Sequence, residues 1–190
     1  IRTVRARGIF MEHAAPEGTG AMSAVLGLDA GVIEDVLRDR EGVSIANYNC
    51  PGQIVITGEA VAEAGNALKE TGARRVLPLK VSGPFHSPMM QPAGEELAKV
   101  FAGVSMNQLK LPYVANINAE VVTDCGKIEG LLVAQVSGSV RWQQSVETMI
   151  REGADTFVEI GPGKTLTGFL RKIDRNVKAY HIGSWEEAVS

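Results

Sequence analysis

The chain has 190 residues, with 19 Lys+Arg against 22 Asp+Glu, a net charge of −3 and 45% hydrophobic residues. That suits one domain, or one domain carrying a small insert, with a sizeable core, and it excludes wholesale disorder and any basic footprint for nucleic acid or an anionic membrane surface. No apolar run reaches a transmembrane length, no signal peptide opens the chain, and Cys50 and Cys125 are too few for a disulfide framework or a zinc site, so a soluble, cytoplasmic protein without metal is expected.

The opening Ile1-Arg2-Thr3-Val4-Arg5-Ala6-Arg7 has neither Met nor a capping residue and reads as a helix entered partway. Val4, Ile9 and Met11 are its larger apolar side chains before Pro16-Glu17-Gly18 stops it. Either the start is trimmed, or a structural partner segment lies upstream. A strand is predicted over 22–28, then a helix of about ten residues capped by Asp29, with Val32, Ile33, Val36 and Leu37 on one face. Strands over 44–49 and 53–58 flank a Cys50-Pro51-Gly52 turn. A helix over 59–71 ends at Gly72 and precedes a strand over 74–79. Strand, helix, strand, strand, helix, strand is the split βαβ order of a ferredoxin-like unit, placed here at 18–81.

From Val81 the pattern changes. Gly83-Pro84-Phe85-His86-Ser87-Pro88 is a stiff loop feeding a helix that runs to about Val100, and a buried strand is predicted over 113–118. Helices near 127–137 and 140–152, a strand over 156–160, a helix over 164–173 and a last strand over 178–182 complete the order. Strands alternating with helices argue for a parallel α/β layer.

His13, His86 and His181 are the three histidines. The first falls at a helix end and the last in a strand, which suits structural or solvent roles. His86 sits on a loop whose prolines fix the backbone, as holding an imidazole for general-base work requires; a loop histidine with no chemical role fits the same pattern. Gly161-Pro162-Gly163-Lys164-Thr165 fails the Walker spacing, since Val158 stands where the first glycine is needed. Its glycines suit a tight strand-to-helix turn, and the helix N-terminus remains open to an anion. No Gly-x-Ser-x-Gly elbow occurs in the chain. Cys50 is a packing or turn cysteine, or a thiol nucleophile beside His86.

Several stretches in order resemble one family. Val4-Arg5-Ala6-Arg7-Gly8-Ile9-Phe10-Met11 and Gly18-Thr19-Gly20-Ala21-Met22 are similar to the post-elbow helix and small-domain entry of malonyl-CoA:acyl carrier protein transacylases. Asn47-Tyr48-Asn49-Cys50-Pro51-Gly52-Gln53 resembles the family's Asn-x-Asn-x-Pro-x-Gln stretch, and Val81-Ser82-Gly83-Pro84-Phe85-His86-Ser87 its histidine loop. Glu159-Ile160-Gly161-Pro162-Gly163-Lys164 resembles its late strand-turn-helix, so the likeness spans nearly the whole chain and fades after about residue 176.

The resemblance implies an α/β-hydrolase-like core, 1–17 and 82–190, with the ferredoxin-like subdomain at 18–81 inserted. It implies transfer of malonyl from malonyl-CoA to the phosphopantetheine thiol of acyl carrier protein in fatty-acid synthesis, through a malonyl-serine ester and with no cofactor. The family's serine elbow and Gly-Gln-Gly loop precede the helix where this chain opens. The expectation is therefore a C-terminal two-thirds, roughly a hundred residues short, inactive alone and partnered by that N-terminal segment. His86 resembles the general base, and the backbone carbonyl of Gln135 the group that orients it. Arg7 resembles the clamp on the malonyl carboxylate, where an unaided reading gives a solvated helix arginine. Met11 and Asn49 are expected to line the pocket, and Phe85 to favour malonyl over its α-methyl analogue. Two other readings fit: an acyltransferase domain of a polyketide or fatty-acid synthase, or a noncatalytic module that binds carrier protein or an acyl thioester.

Overall fold

A computed structural model describes residues 1–16 and 18–189, so Glu17 and Ser190, which belong to the expected helix stop and domain limits, lie outside the described residues. Strands β1 (Ala21–Leu26), β2 (Val43–Cys50), β3 (Gln53–Gly58) and β4 (Arg75–Pro78) form an antiparallel sheet in the order β2-β3-β1-β4. Period-two alternation splits the strand side chains between two buried faces. Val25, Ile45, Ile54 and Ile56 meet Ile33 and Leu37 of α2 (Ala30–Leu37) and Val61, Ala64 and Leu68 of α3 (Val61–Glu70). Met22, Ala24, Ala46 and Val55 form the opposite cluster, against which Phe85 packs. Burial on both faces explains why β3 reads as a continuous apolar run rather than an alternating one.

Asp29 occupies the N-cap position of α2, as expected, but its side chain makes no capping bond; its backbone carbonyl accepts from Ile33 at 3.2 Å. At the far end of the sheet Gly58 has φ +132°, and a Cβ there would stand 2.2 Å from the Gly42 carbonyl oxygen. Only glycine admits that approach.

The second cluster is helical. Helix α1 (Arg2–His13) packs on α4 (Gln91–Phe101), which packs on α5 (Ile128–Ser137). Met11, Met90, Ala93, Leu97, Phe101 and Val136 form its buried centre. The strand expected over 113–118 is a correction: only Tyr113–Val114 (β5) is extended, pairing antiparallel with Val121–Val122 (β6). Between them the Ala119 amide donates to the Ala115 carbonyl at 2.8 Å and Ala119 turns left-handed, φ +59°, so the chain reverses where the strand was predicted to continue.

Helix α6 (Trp142–Arg151) leads to β7 (Thr156–Ile160), α7 (Thr165–Ile173), β8 (Lys178–Ile182) and α8 (Trp185–Val189), the last of which the sequence reading did not predict. The expected parallel layer narrows, among the described residues, to the β7–β8 pair and one isolated parallel bridge between Asn47 and Val140. On β7 and β8 the apolar side chains of Val158, Ile160 and Tyr180 are exposed, at 48%, 79% and 55%. No helix among the described residues is long and apolar enough to cross a membrane.

Leu68 is fully buried between α3 and the sheet. Truncating it removes apolar contact and leaves a cavity, so Leu68→Ala should cost about 2–5 kcal/mol. A lowered urea midpoint with an unchanged m-value is the expected result.

Candidate active site

Three elements bring the expected site residues together. His86 lies on the loop before the short 3-10 turn Pro88–Met90, Gln135 is in the last turns of α5, and Arg7 is in the middle of α1. The His86 backbone is left-handed, φ +58°, which is uncommon outside glycine and signals a conformation held by its surroundings. Before it, Phe85 N donates to Gly83 O at 3.0 Å; after it, the buried Ser87 hydroxyl donates back to Pro84 O at 2.6 Å. Phe85 packs on both the helical cluster and the outer face of the sheet. The loop is thereby wedged between the two halves of the chain.

Nδ1 of His86 lies 3.2 Å from the Gln135 carbonyl oxygen. A carbonyl only accepts, so Nδ1 carries the proton and donates, and Nε2 is left with its lone pair in the neutral ring. Burial pushes the imidazole below its ordinary value; the carbonyls of Gln135 and Gly138 oppose that shift and the Arg7 charge adds to it. The net direction is downward, which favours the neutral form that accepts a proton.

Arg7 is half-buried, and burial lowers its pKa. Its guanidinium has no hydrogen-bond or ion-pair partner among the described residues. A desolvated fork of five N–H donors, close enough to repel a charge on His86, is suited to an anion with two oxygens. Met11, four residues on along the same helix, is buried at 8% exposure in the helical cluster, where Phe85 also packs. Asn49 is half-buried on β2, and no side-chain hydrogen bond joins it to His86, Arg7 or another described residue.

The remaining candidates find structural places. Cys50 is fully buried at the end of β2 and burial raises its thiol pKa against the pull of Lys172, so it packs rather than reacts. His13 is exposed at the end of α1, and His181 Nε2 lies 2.9 Å from Gly161 O. The N-terminus of α7 is already occupied: Glu159 accepts from Leu166 N at 3.1 Å, Thr167 N at 2.8 Å and the Thr167 hydroxyl at 2.6 Å. These bonds hold the Glu159 carboxyl low and fill the place left open for an anion.

A strap after α5 was not foreseen. Val140 N donates to Ala46 O at 2.7 Å, and Tyr48 N donates to Val140 O at 2.9 Å, so the strap runs alongside β2. Arg141 lies over the Tyr48 ring, 5.4 Å from its centre, and the Tyr48 hydroxyl donates to Glu34 at 2.8 Å. Burial and Glu34 push the Tyr48 pKa up to about 12. Nothing in the sequence around Gly138-Ser139-Val140 marks pairing with a strand some 94 residues earlier. Among the described residues no group of three or more His, Cys, Asp or Glu side chains is arranged to hold a metal ion.

Comparison with known proteins agrees with the order of motifs. The acyl transferase domain family matches residues 1–186. The malonyl CoA-acyl carrier protein transacylase of Bacillus subtilis is 44% identical over 192 residues, which cover 98% of this chain and 61% of that protein. Its Escherichia coli K12 counterpart is 44% identical over 178 residues, covering 91% and 58%. A crystal structure of the acyl carrier protein S-malonyltransferase of Vibrio cholerae superposes with a TM-score of 0.94 at 39% identity, covering all of this chain and 64% of that one. A malonyl-transacylase solved in complex with a type II polyketide acyl carrier protein gives 0.94 at 38% identity, covering 99% and 62%. The chain thus spans about six-tenths of the length of the relatives it matches, and it has an α/β fold like theirs. The resemblance carried by the ordered motifs is met, and the chain belongs to the acyl transferase domain family.

Proposed function

We propose that this chain carries the base and the carboxylate-binding residue of a malonyl-CoA:acyl carrier protein transacylase. The observation that carries the reading is a half-buried, unpartnered Arg7 beside a His86 held neutral with Nδ1 on a carbonyl. The strand order β2-β3-β1-β4 supports a ferredoxin-like subdomain at 18–81, set into an α/β-hydrolase-like core at 1–17 and 82–190. The relatives extend beyond the matched span, which supports a nucleophilic serine supplied from outside these 190 residues.

In this reading Nε2 of His86 takes the serine hydroxyl proton as the oxygen attacks the thioester carbonyl of malonyl-CoA. The tetrahedral intermediate collapses, the C–S bond breaks, and the imidazolium returns the proton to the departing CoA thiolate. The second half runs in reverse: His86 takes the proton of the phosphopantetheine thiol, the thiolate attacks the malonyl-serine ester, and the proton goes back to serine. Arg7 holds the free carboxylate throughout, and neither proton nor charge accumulates. Phe85 stands directly before His86, where its ring would crowd an α-methyl group, and Met11 backs the same helix face. Asn49 is assigned to the pocket on the resemblance alone. The carrier protein is one of fatty-acid synthesis or, as in the polyketide complex, of an assembly of that kind.

Arg7→Ala tests the reading. Losing a charge-assisted bidentate pair should cost about 2–5 kcal/mol for malonyl transfer in the complete enzyme, with acetyl transfer unchanged or improved. Arg7→Lys should recover little. Phe85→Ser should instead relax discrimination against methylmalonyl-CoA, a steric effect of about 1–3 kcal/mol. Equal slowing of malonyl and acetyl transfer by Arg7→Ala would make Arg7 structural and remove the substrate assignment.

The lowered pKa of His86 carries a pH prediction. The base must be neutral, so activity is lost as pH falls through its pKa, and burial places that below 6.5. The acid limb of kcat/KM should therefore lie below 6.5, and in Arg7→Ala, followed with acetyl-CoA, it should move up, because a charge that repels the imidazolium is gone. A limb above 6.5 in the wild-type enzyme would contradict the assignment of His86.

Arg171, Lys172 and Arg175, with one acidic residue, Asp174, among them, line an open groove of about 700 Å³ along α7. Helix α7 also contacts β2, the strand that carries Asn49. An acidic carrier protein would be steered there, whereas Arg74 and Arg75 lie at the start of β4. Reversing the charge of Arg171 and Lys172 should raise KM for carrier protein and spare hydrolysis of malonyl-CoA; equal effects on both would count against docking at this groove.

A further inference from the structure

Gln135 contributes more than its carbonyl. Its side-chain Nε2 donates to Gly138 O at 2.9 Å and to Ser139 O at 3.3 Å, folding the amide back over the turn that ends α5. The Oε1 of the same amide is buried and accepts no hydrogen bond from the described residues. The reverse orientation would set that oxygen against two carbonyl oxygens, so the turn fixes the amide and leaves the acceptor unmatched.

The turn is held from its other side. The Ser139 hydroxyl donates to Ile45 O at 2.5 Å, next to the Val140–Ala46 backbone bond, on the strand where β2 shifts register between Ile45 and Asn47. Gly138 leaves little space for a side chain: a Cβ there would lie 3.0 Å from Ala134 O and 2.1 Å from Ile117 Cδ1, the end of that side chain. The carbonyls of Gln135 and Gly138 both act on the His86 ring. A continuous set of hydrogen bonds therefore runs from β2 through Ser139 and Gln135 to Nδ1 of His86.

We propose that the side-chain amide of Gln135 and the hydroxyl of Ser139 are positioning groups, which hold the 135–140 turn so that His86 keeps its Nδ1–H tautomer and a free Nε2. This rests on the reading of His86 as the general base. A donor pair placed on the two carbonyls draws the turn closed, and closing it aims the Gln135 carbonyl at the ring. Without that acceptor the imidazole would relax toward the Nε2–H tautomer that free imidazole favours in water, with the proton on the nitrogen that has to receive one.

The test uses the protein at its natural length, labelled with 15N at histidine, at a pH where the rings are neutral; the signal missing from His86→Asn identifies His86. The wild-type ring should show the shifts of the Nδ1–H tautomer. Gln135→Leu keeps the backbone carbonyl and removes the amide; it should move the ring toward Nε2–H and lower kcat about tenfold with little change in KM. Should Gln135→Leu not fold, Ser139→Ala and Ser139→Thr decide: Ala should shift the ring in the same direction, and Thr, which keeps the hydroxyl, should restore it. Wild-type ring shifts in a folded Gln135→Leu protein, or in Ser139→Ala, would overturn the proposal. Full transfer by His86→Ala would instead overturn the reading of His86 as base, and the tautomer measurement would still report whether the turn positions the ring.

Discussion

The left-handed backbone at His86, φ +58°, is the constraint around which the two halves of the chain are arranged. A non-glycine residue in that region carries a cost of roughly 1–2 kcal/mol, so its neighbours must hold it there. Pro84 is fully buried and meets Gly20 at the entrance to β1, where a Cβ would stand 2.7 Å from the proline ring. The loop can press against the sheet only because residue 20 has no side chain. Phe85 then fills the gap between the sheet cluster and the helical cluster, and Ser87 closes the loop onto Pro84. The orientation of the imidazole is a consequence of packing on both sides.

That placement has an electrostatic consequence. Arg7 and His86 are close enough to interact, and a fixed cation disfavours a second one. Arg7 therefore helps to keep His86 neutral while its own fork is unoccupied. An anion on Arg7 would offset the repulsion and make the imidazole more basic, so binding at one group and proton affinity at the other are linked. Under the proposed function, an imidazole that becomes more basic when a carboxylate occupies Arg7 would be tuned to a substrate that carries one.

Much of the fold was legible because local signals agreed with each other. The Gly and Pro turns bounded the strands of the first sheet to within a residue or two, and the spacing of Val32, Ile33, Val36 and Leu37 marked α2 on sequence alone. The strand expected over 113–118 stops at Val114 because the chain reverses by Ala119, an alanine in a conformation that composition does not announce. Of the parallel layer, the described residues form the β7–β8 pair, since alternation of elements does not reveal which strands pair with one another. At the site, Pro-bracketed His86 stood out and Arg7 did not; a helix arginine becomes informative only once its burial and lack of a partner are known. The strap at 139–141 was illegible because its bonds reach β2 across a large sequence separation and leave no periodic trace.

The three site residues come from distant parts of the chain, yet each is tied to the same buried cluster. Met11 lies one helical turn from Arg7, Met90 closes the 3-10 turn after His86, and Val136 follows Gln135. Met90 and Val136 are fully buried, and Met11 nearly so. The cluster thus ties together the backbone that presents the His86 imidazole, the Gln135 carbonyl and the Arg7 guanidinium, because each core side chain anchors the segment that carries a polar one. Two methionines in that centre adapt to irregular space, while the β-branched Val136, next in sequence to Gln135, has a stiff χ1.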